Sequence, residues 1–450
     1  TKEQFLNQFT RQALDERISL FVGAGASANA GYPSWYNLFV PLAKELGTPL
    51  GESENYYRVA QYYSNKFGQA ELRKRINDII NKNDFHSHLI NELIDVGFTT
   101  NFDNVLELNY TSRNILINKV FRDADLSNVE LNKRINIYKM NGDITNPEGI
   151  VATQKDYEEY SDNHRMILMF FKRELISSTF LFIGYSFTDN LVMDCLSEIT
   201  RYLGDAAPYH YTIMKNDSSN PYFNYFIDDL ERRYHIRVLL VNEYADIFFV
   251  LKELNDRIRN KKVFISGAFR SFDQNIEEYS HNLSRNITEK LLANDYRIIN
   301  GIGRHFGTHI IGYANEFLAK KGIKDKEKYI IVRPFVGIGE KSLEDKKKLR
   351  EEVIGGCGSA IFVFGDYNQH SPNPNSGVKE EFEIAMKNHK TIIPIAYPGM
   401  RSEVIWNQMK NNITQFPYLE KCIDSLTSKC DTNEIAKIIV YILDSVQNLK

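Results

Sequence analysis

Four stretches in the first half of the chain place small, hydroxylated, amide and carboxylate residues directly after apolar runs. Leu20-Phe21-Val22 leads into Gly23-Ala24-Gly25-Ala26-Ser27 and, a few residues on, Gly31-Tyr32-Pro33-Ser34-Trp35. Gly97-Phe98 leads into Thr99-Thr100-Asn101-Phe102-Asp103, and Ile137-Tyr138-Lys139-Met140 into Asn141-Gly142-Asp143. Phe180-Leu181-Phe182-Ile183 leads into Gly184-Tyr185-Ser186-Phe187-Thr188-Asp189. Glycines without side chains let backbone N–H groups approach a pyrophosphate, and a helix opening behind them adds a favourable dipole. Each stretch alone has an ordinary structural use: a strand-to-helix turn at Gly23, or a helix cap at Asp103. Four of them within one domain-sized stretch point instead to a nucleotide crevice at the carboxyl edge of a parallel sheet.

The elements that must position these residues follow from apolar spacing. A helix over residues 3–18 leads into the first strand, and helical segments over Asn37–Leu46 and Tyr56–Ile80 form a cover above the site. Helices over Asp156–Ser161, Arg165–Ser177 and Asn190–Tyr202 follow, with edge-side strands at Tyr209–Met214 and Val238–Val241. The polar run from Asn255 to Lys262 marks a boundary, giving domains over 1–258 and 259–450. A fresh strand then ends in Ser266-Gly267-Ala268-Phe269-Arg270. A helix over Asn275–Ala293, a strand over Tyr296–Ile299 and a glycine turn carrying Gly301, Gly303 and Gly307 come next, at the mouth of a helix over Thr308–Lys320. Strands at Tyr329–Val332, Ala360–Phe364 and Thr391–Ala396 alternate with helices over Glu344–Val353 and Val378–Asn388, joined by loops at 335–339 and 366–377. The fold class is therefore α/β: two Rossmann-like parallel-sheet domains, the first with an added helical cover. In the second domain Gly267, Arg270, Gly301, Gly303, Arg304, Arg333, Arg350 and Glu381 are candidate ligand contacts. Guanidinium groups suit phosphate oxygens and the carboxylate suits ribose hydroxyls, with at least one or two of the arginines expected to be solvated surface charges.

A net charge of -3 over 450 residues argues against a generic nucleic-acid surface. No apolar run approaches the ~20 residues that span a bilayer, and the N-terminal stretch lacks an apolar signal core, so a cytoplasmic protein without membrane partners is expected. Cys195, Cys357, Cys422 and Cys430 are scattered. Neither a disulfide framework nor a four-thiolate zinc site is expected, and no metal. Among the histidines of the first half, only His86 and His88 have metal-ligand spacing, and they read as a helix surface.

The order of the four strand ends resembles the sirtuin family over roughly residues 1–255. Gly-Ala-Gly-Ala-Ser with Gly-Tyr-Pro-Ser-Trp is similar to the family's NAD loop, Thr-Thr-Asn-Phe-Asp to its Thr-Gln-Asn-x-Asp motif, and Ile-Gly-Tyr-Ser-Phe to its Gly-x-Ser ribose loop. The resemblance implies NAD as substrate. Gly23, Ala24, Gly25 and Ser27 would hold the phosphates, with Pro33, Trp35, Thr100 and Asp189 beside them. Asn101 and Asp103 would address the nicotinamide ribose and amide, and Gly184 and Ser186 would lie under the adenosine half. Two departures matter. The paired Cys-x-x-Cys module of the protein-deacylating members is missing, which disfavours peptide deacylation and leaves a zinc-free deacylase as a rival reading. The family's His-Gly-Asp motif is Asn141-Gly142-Asp143 here, and an amide cannot act as a general base. Either cleavage relies on Asn101 and a positioned water, or this sequence is a silenced His-to-Asn variant, the reading favoured by the otherwise intact Lys-Met-x-Gly-Asp.

From residue 260 onward, Ile-Ser-Gly-Ala, Asn-Gly-Ile-Gly-Arg-His-Phe-Gly-Thr and Gly-Val-Lys-Glu-Glu-Phe-Glu resemble the SLOG family. The hydrolytic members' Pro-Gly-Gly-x-Gly-Thr-x-x-Glu signature is reduced to Ser-Gly-Val-Lys-Glu-Glu, so binding is expected there rather than hydrolysis. A sirtuin-like domain followed by a SLOG domain is similar to the Thoeris family of antiphage effectors. That resemblance implies a bacterial NAD hydrolase, commonly a homotetramer, activated by a cyclic ADP-ribose isomer from a TIR-domain partner protein. A non-enzymatic nucleotide sensor or scaffold is the other rival.

Overall fold

The structure, a computed structural model, describes residues 1–28, 31–51, 54–80, 96–112, 115–129, 135–270, 274–334, 340–366 and 377–448. The His86/His88 pair, the 335–339 loop and most of the 366–377 loop lie outside these. The chain is an α/β protein divided into two compact units, 1–255 and 256–450.

In the first unit seven strands form one parallel sheet: β1 (Ile18–Val22), β2 (Val96–Thr99), β3 (Ile117–Val120), β4 (Ile135–Lys139), β5 (Thr179–Ile183), β6 (His210–Lys215) and β7 (Ile236–Val241). Their order is β3-β4-β2-β1-β5-β6-β7, so the winding direction reverses between β1 and β5, the place where doubly wound sheets open a ligand crevice. β4 and β5 are buried along their whole length, as expected for parallel strands covered on both faces. Phe21, Phe180 and Phe182 pack on one face with Phe171 and Leu196 from the helices Arg165–Ser177 and Asn190–Leu203. Leu20, Val22, Leu181 and Ile183 point the other way, against Phe5 and Phe9 of the helix Lys2–Leu14 and Leu251 and Leu254 of Tyr244–Asn260.

The first helix ends at Leu14 rather than at residue 18, because Glu16 takes a left-handed conformation (φ 54) and Ile18 already belongs to β1. The expected segment over Tyr56–Ile80 is two helices, Tyr56–Phe67 and Gln69–Ile80, parted by Gly68 at φ 93. With Trp35–Leu46 they form the cover. Leu38, Phe39, Tyr63, Leu72 and Ile76 bury their apolar faces over Phe102, Ile144 and Ile150, which lie just beyond β2 and β4.

The second unit has a five-stranded parallel sheet, β8 (Lys262–Ser266), β9 (Arg297–Asn300), β10 (Ile330–Val332), β11 (Ser359–Val363) and β12 (Thr391–Ile395), in the order β10-β9-β8-β11-β12. It too reverses, between β8 and β11. Helices Gln274–Ala293, Phe306–Lys320 and Thr432–Asn448 contribute to its core. No helix among the described residues is long and apolar enough to cross a membrane.

Candidate functional sites

Register brings the four polar stretches to one row. Val22 pairs with Thr99 and with Ile183, and Thr99 pairs with Lys139, so Gly23, Thr100, Met140 and Gly184 follow side by side. The glycines of the first loop answer a packing need. Gly23 and Gly25 donate their N–H groups to the carbonyls of Ile183 and Gly184, both at 2.9 Å. A Cβ at Gly23 would collide with the Gly184 carbonyl, and one at Gly184, held at φ +62, with the Ala26 amide. These two amides are therefore occupied by the backbone of the neighbouring strand end, which leaves any phosphate to the other groups of the turn.

Behind the loop, Thr99 Oγ1 donates to the Val22 carbonyl at 2.7 Å and accepts from the Asn101 amide at 3.0 Å. Asn101 Nδ2 in turn donates to Ser27 Oγ at 3.1 Å. Asn101 is buried, and its Oδ1 has no hydrogen-bond partner among the described residues. Thr100 beside it is also buried. Ala24, Tyr32, Pro33, Trp35, Asn101, Phe102 and Asp103 line an open cleft of about 320 Å³ counted out to its mouth. Trp35 is held there between Phe39, Tyr57 and Phe102, with ring centroids 5.4–6.0 Å apart. Asp103 accepts from the Val105 amide at 3.0 Å and so starts the helix Val105–Thr111, while burial raises its carboxyl above the usual range.

Asn141 is completely buried in the bend after β4, where Gly142 at φ +95 leaves no room for a side chain against Gly149. Asn141 Nδ2 donates to Tyr157 Oη at 2.8 Å, and its Oδ1 has no hydrogen-bond partner among the described residues. The Tyr157 and Tyr57 hydroxyls both donate to Asp189 Oδ2, at 3.3 and 3.2 Å. Asp189 Oδ1 caps the helix Asn190–Leu203 by accepting from Leu191 at 2.9 Å. Burial raises the Asp189 carboxyl and pushes both tyrosines upward. Asn141 and Asp189 are thus joined through Tyr157. Ser186 is exposed and shares a 2.8 Å hydrogen bond with Thr188, on either side of Phe187 at φ 56.

The residues that hold these loops together include two whose roles the motifs did not reveal. Lys139, 1% exposed, donates to the Phe102 and Asp103 carbonyls and contacts Glu107 Oε1 at 3.0 Å and Asp143 Oδ2 at 2.8 Å. Lys119 meets Asp143 from the other side at 3.1 Å. Against the cost of burial, Lys139 holds the Asp143 carboxyl down at about 2, and Glu107 and Asp143 hold the Lys139 ammonium above its ordinary range. The Asn101 loop and the Asn141 bend are therefore tied to a single ammonium group.

In the second unit, Gly267 and Gly303 are required by close approach: a Cβ on Gly303 would strike the Gly267 carbonyl, and one on Gly267 would lie 2.7 Å from the Val363 carbonyl. Gly301 precedes the strained Ile302 (φ 56), whose amide is held by Asn300 Oδ1 at 2.7 Å. His305 and Phe364 have positive φ as well (61 and 59); His305 stacks on Phe269, and Phe364 packs against the same ring at a tilt. Strain of this kind collects at ligand clamps. Glu381, buried, accepts from Ser266 Oγ at 2.6 Å and from Arg350 Nε at 3.2 Å, and Arg350 also reaches Glu380. The structure thus gathers Gly267, Arg350 and Glu381 near Ser266. Arg304 and Arg333 are exposed, and Arg270 pairs with Asp366 at 2.6 Å on the surface, so three of the four arginines are surface charges, within the expectation of at least one or two. The structure also brings together Glu277, His281 and His309, which sequence spacing did not reveal.

Two family models match the chain: a SIR2-like domain over residues 95–239 and the Sir2- and TIR-associating SLOG family over residues 246–446. Proteins named NAD(+) hydrolase ThsA are similar over nearly the whole length. The one from Bacillus cereus (strain MSX-D12) is 28% identical, over 99% of this chain and 98% of its own. That from Enterococcus faecium is 27% identical over 99% of both. Defense-associated sirtuin 2 of Bacillus subtilis is 25% identical over 41% of this chain and 19% of its own. The chain therefore carries a SIR2-like domain over residues 95–239, followed over residues 246–446 by a domain of the Sir2- and TIR-associating SLOG family.

Proposed function

We propose that the chain is an NAD hydrolase of a bacterial antiphage system, cleaving NAD with water to ADP-ribose, nicotinamide and a proton. The observation that carries this reading is the pair of buried amide oxygens, Oδ1 of Asn101 and of Asn141, that have no hydrogen-bond partner among the described residues at the row of strand ends where a nucleotide would lie. Buried acceptors without partners are rare and call for a donor, which an NAD carboxamide or ribose hydroxyl supplies. The relatives named as NAD(+) hydrolases support the same substrate.

In this reading the Gly23-Ala24-Gly25-Ser27 turn carries the pyrophosphate, Asn101 and Asp103 the nicotinamide ribose and amide, and Gly184 and Ser186 the adenosine half. Pro33, Trp35 and Thr100 complete the wall, and Asp189 steadies position 141 through Tyr157. Breaking the N-glycosidic bond passes through an oxocarbenium-like state, captured by water. Asn141 cannot take up that water's proton, so the chain as it stands is a silenced form of a histidine enzyme, and Asn141→His restores the base. The hydrolase domain covers 1–258. The domain over 259–450 binds a cyclic ADP-ribose isomer made by a TIR-domain partner, with Gly267, Gly301, Gly303, Arg350 and Glu381 as contacts and Arg270, Arg304 and Arg333 at the rim. Ligand there switches on NAD depletion in a cytoplasmic homotetramer.

The test is release of nicotinamide and ADP-ribose in equal amounts by the Asn141→His chain, with and without cyclic ADP-ribose isomers and without any acylated peptide. Release that requires the peptide would instead identify a deacylase. Binding at both domains with no turnover by either form would identify a sensor.

A further inference from the structure

Outside both nucleotide sites, the helices Gln274–Ala293 and Phe306–Lys320 bring Glu277, His281 and His309 together, with one ligand-type atom from each inside 4.8 Å of the others. Glu277 Oε1 lies 3.3 Å from His309 Nε2 and 3.7 Å from His281 Nε2. Donors bound about 2.0–2.1 Å from a tetrahedral ion sit about 3.4 Å apart, the edge of that tetrahedron. The two imidazoles are stacked with centroids 3.8 Å apart, each with Nε2 beside the same carboxylate oxygen, and a bound ion would turn one ring so that both in-plane lone pairs meet it. Each Nδ1 is held by a hydroxyl: His309 by Ser280 at 2.9 Å, and His281 by Tyr313 at 2.8 Å. With each hydroxyl accepting from Nδ1–H, Nε2 is the unprotonated nitrogen of each ring and can bind an ion, the support that metal-bound histidines require. The second oxygen of Glu277 is buried and has no hydrogen-bond partner among the described residues.

From this geometry we propose that Glu277, His281 and His309 form a binding site for a divalent ion of the zinc class, with a fourth position open to water. Two imidazoles and a carboxylate favour such ions over calcium or magnesium. The ion ties the first and second turns of Gln274–Ala293 to the first turn of Phe306–Lys320, helices that follow the loops carrying Gly267 and Gly303, and so braces that end of the domain. This inference is independent of the NAD reading and stands or falls without turnover.

The experiment titrates Zn2+, and Co2+ as a coloured substitute, into the full metal-free chain, following heat, visible absorption and the melting temperature. One equivalent should bind per chain, with cobalt bands of four-coordinate type and a raised melt. His281 has a side chain 46% exposed, so His281→Ala should keep the fold, and it should weaken binding by at least about 100-fold. Tyr313→Phe, which removes only the hydroxyl on Nδ1, should weaken it about 10-fold. No stoichiometric uptake, or uptake unchanged by His281→Ala, would overturn the proposal and leave the trio as a carboxylate sharing a proton with two imidazoles.

Discussion

Replacing Lys139 with methionine should remove a large part of the first domain's stability. The side chains of Lys139 and Asp143 are fully buried and that of Glu107 is 9% exposed, with Lys119 closing the group at 26%. Two ammonium groups balance two carboxylates; removing the innermost cation leaves one buried negative charge unmatched and frees the Phe102 and Asp103 carbonyls. Breaking a buried pair on one side typically costs about 3–5 kcal/mol, against a total domain stability of about 5–15 kcal/mol. Methionine preserves most of the aliphatic volume, so the loss reads charge rather than cavity. The chain has two tryptophans, Trp35 in the first unit and Trp406 in the second, so urea unfolding followed by fluorescence in a Trp406→Phe background reports the first unit. Lys139→Met/Glu107→Gln, which restores the balance between Lys119 and Asp143, should recover at least half of the loss. A loss below about 1 kcal/mol, or a double variant no better than the single one, would refute the view that this ammonium holds the site loops.

Other expectations follow from single residues. Gly184→Ala places a methyl group against the Ala26 amide at φ +62, and should cost more than the roughly 1–3 kcal/mol of a strained backbone alone; a thermal melt checks it, and an unchanged melt would contradict the close approach. His210 is buried and accepts from the Phe180 amide, and burial lowers its imidazole from 6.5 to about 3. The unfolded chain therefore binds the extra proton first, and stability should fall as pH drops from about 6.5 toward 3, by up to about 1.4 kcal/mol per pH unit. His210→Gln should flatten that part of the profile, and an identical slope in the variant would show that other groups cause it. Arg350→Gln leaves Glu380 and Glu381 without their cation. It should weaken binding of a cyclic ADP-ribose isomer by about 2 kcal/mol or more, while exposed Arg333→Gln changes it little; calorimetric titration distinguishes them.

The strand ends were legible because their signals are local: an apolar run followed at once by glycine, hydroxyl and amide residues. Parallel pairing then aligned four such ends without further instruction. The bracing was not legible, because Glu107 and Lys139 meet across 32 positions and neither looks unusual in its own element. β3 was missed for a related reason: Ile117-Asn118-Lys119-Val120 is a short edge strand with two polar residues, and only pairing with β4 makes it one. The cluster of Glu277, His281 and His309 depends on two helices packing side by side, which spacing along one chain does not encode. The glycine loop suggests a ligand by its sequence, yet its first constraint is the backbone of Gly184.

Position 141 tests the account most directly. NAD consumption should be measured for the chain as it stands and for Asn141→His, each at a saturating level of cyclic ADP-ribose isomers. The histidine form should release nicotinamide about 10²–10⁴ times faster than the asparagine form, the usual contribution of a positioned base, and only when the isomer is present. If the histidine form consumes no NAD under these conditions, the hydrolase reading is wrong.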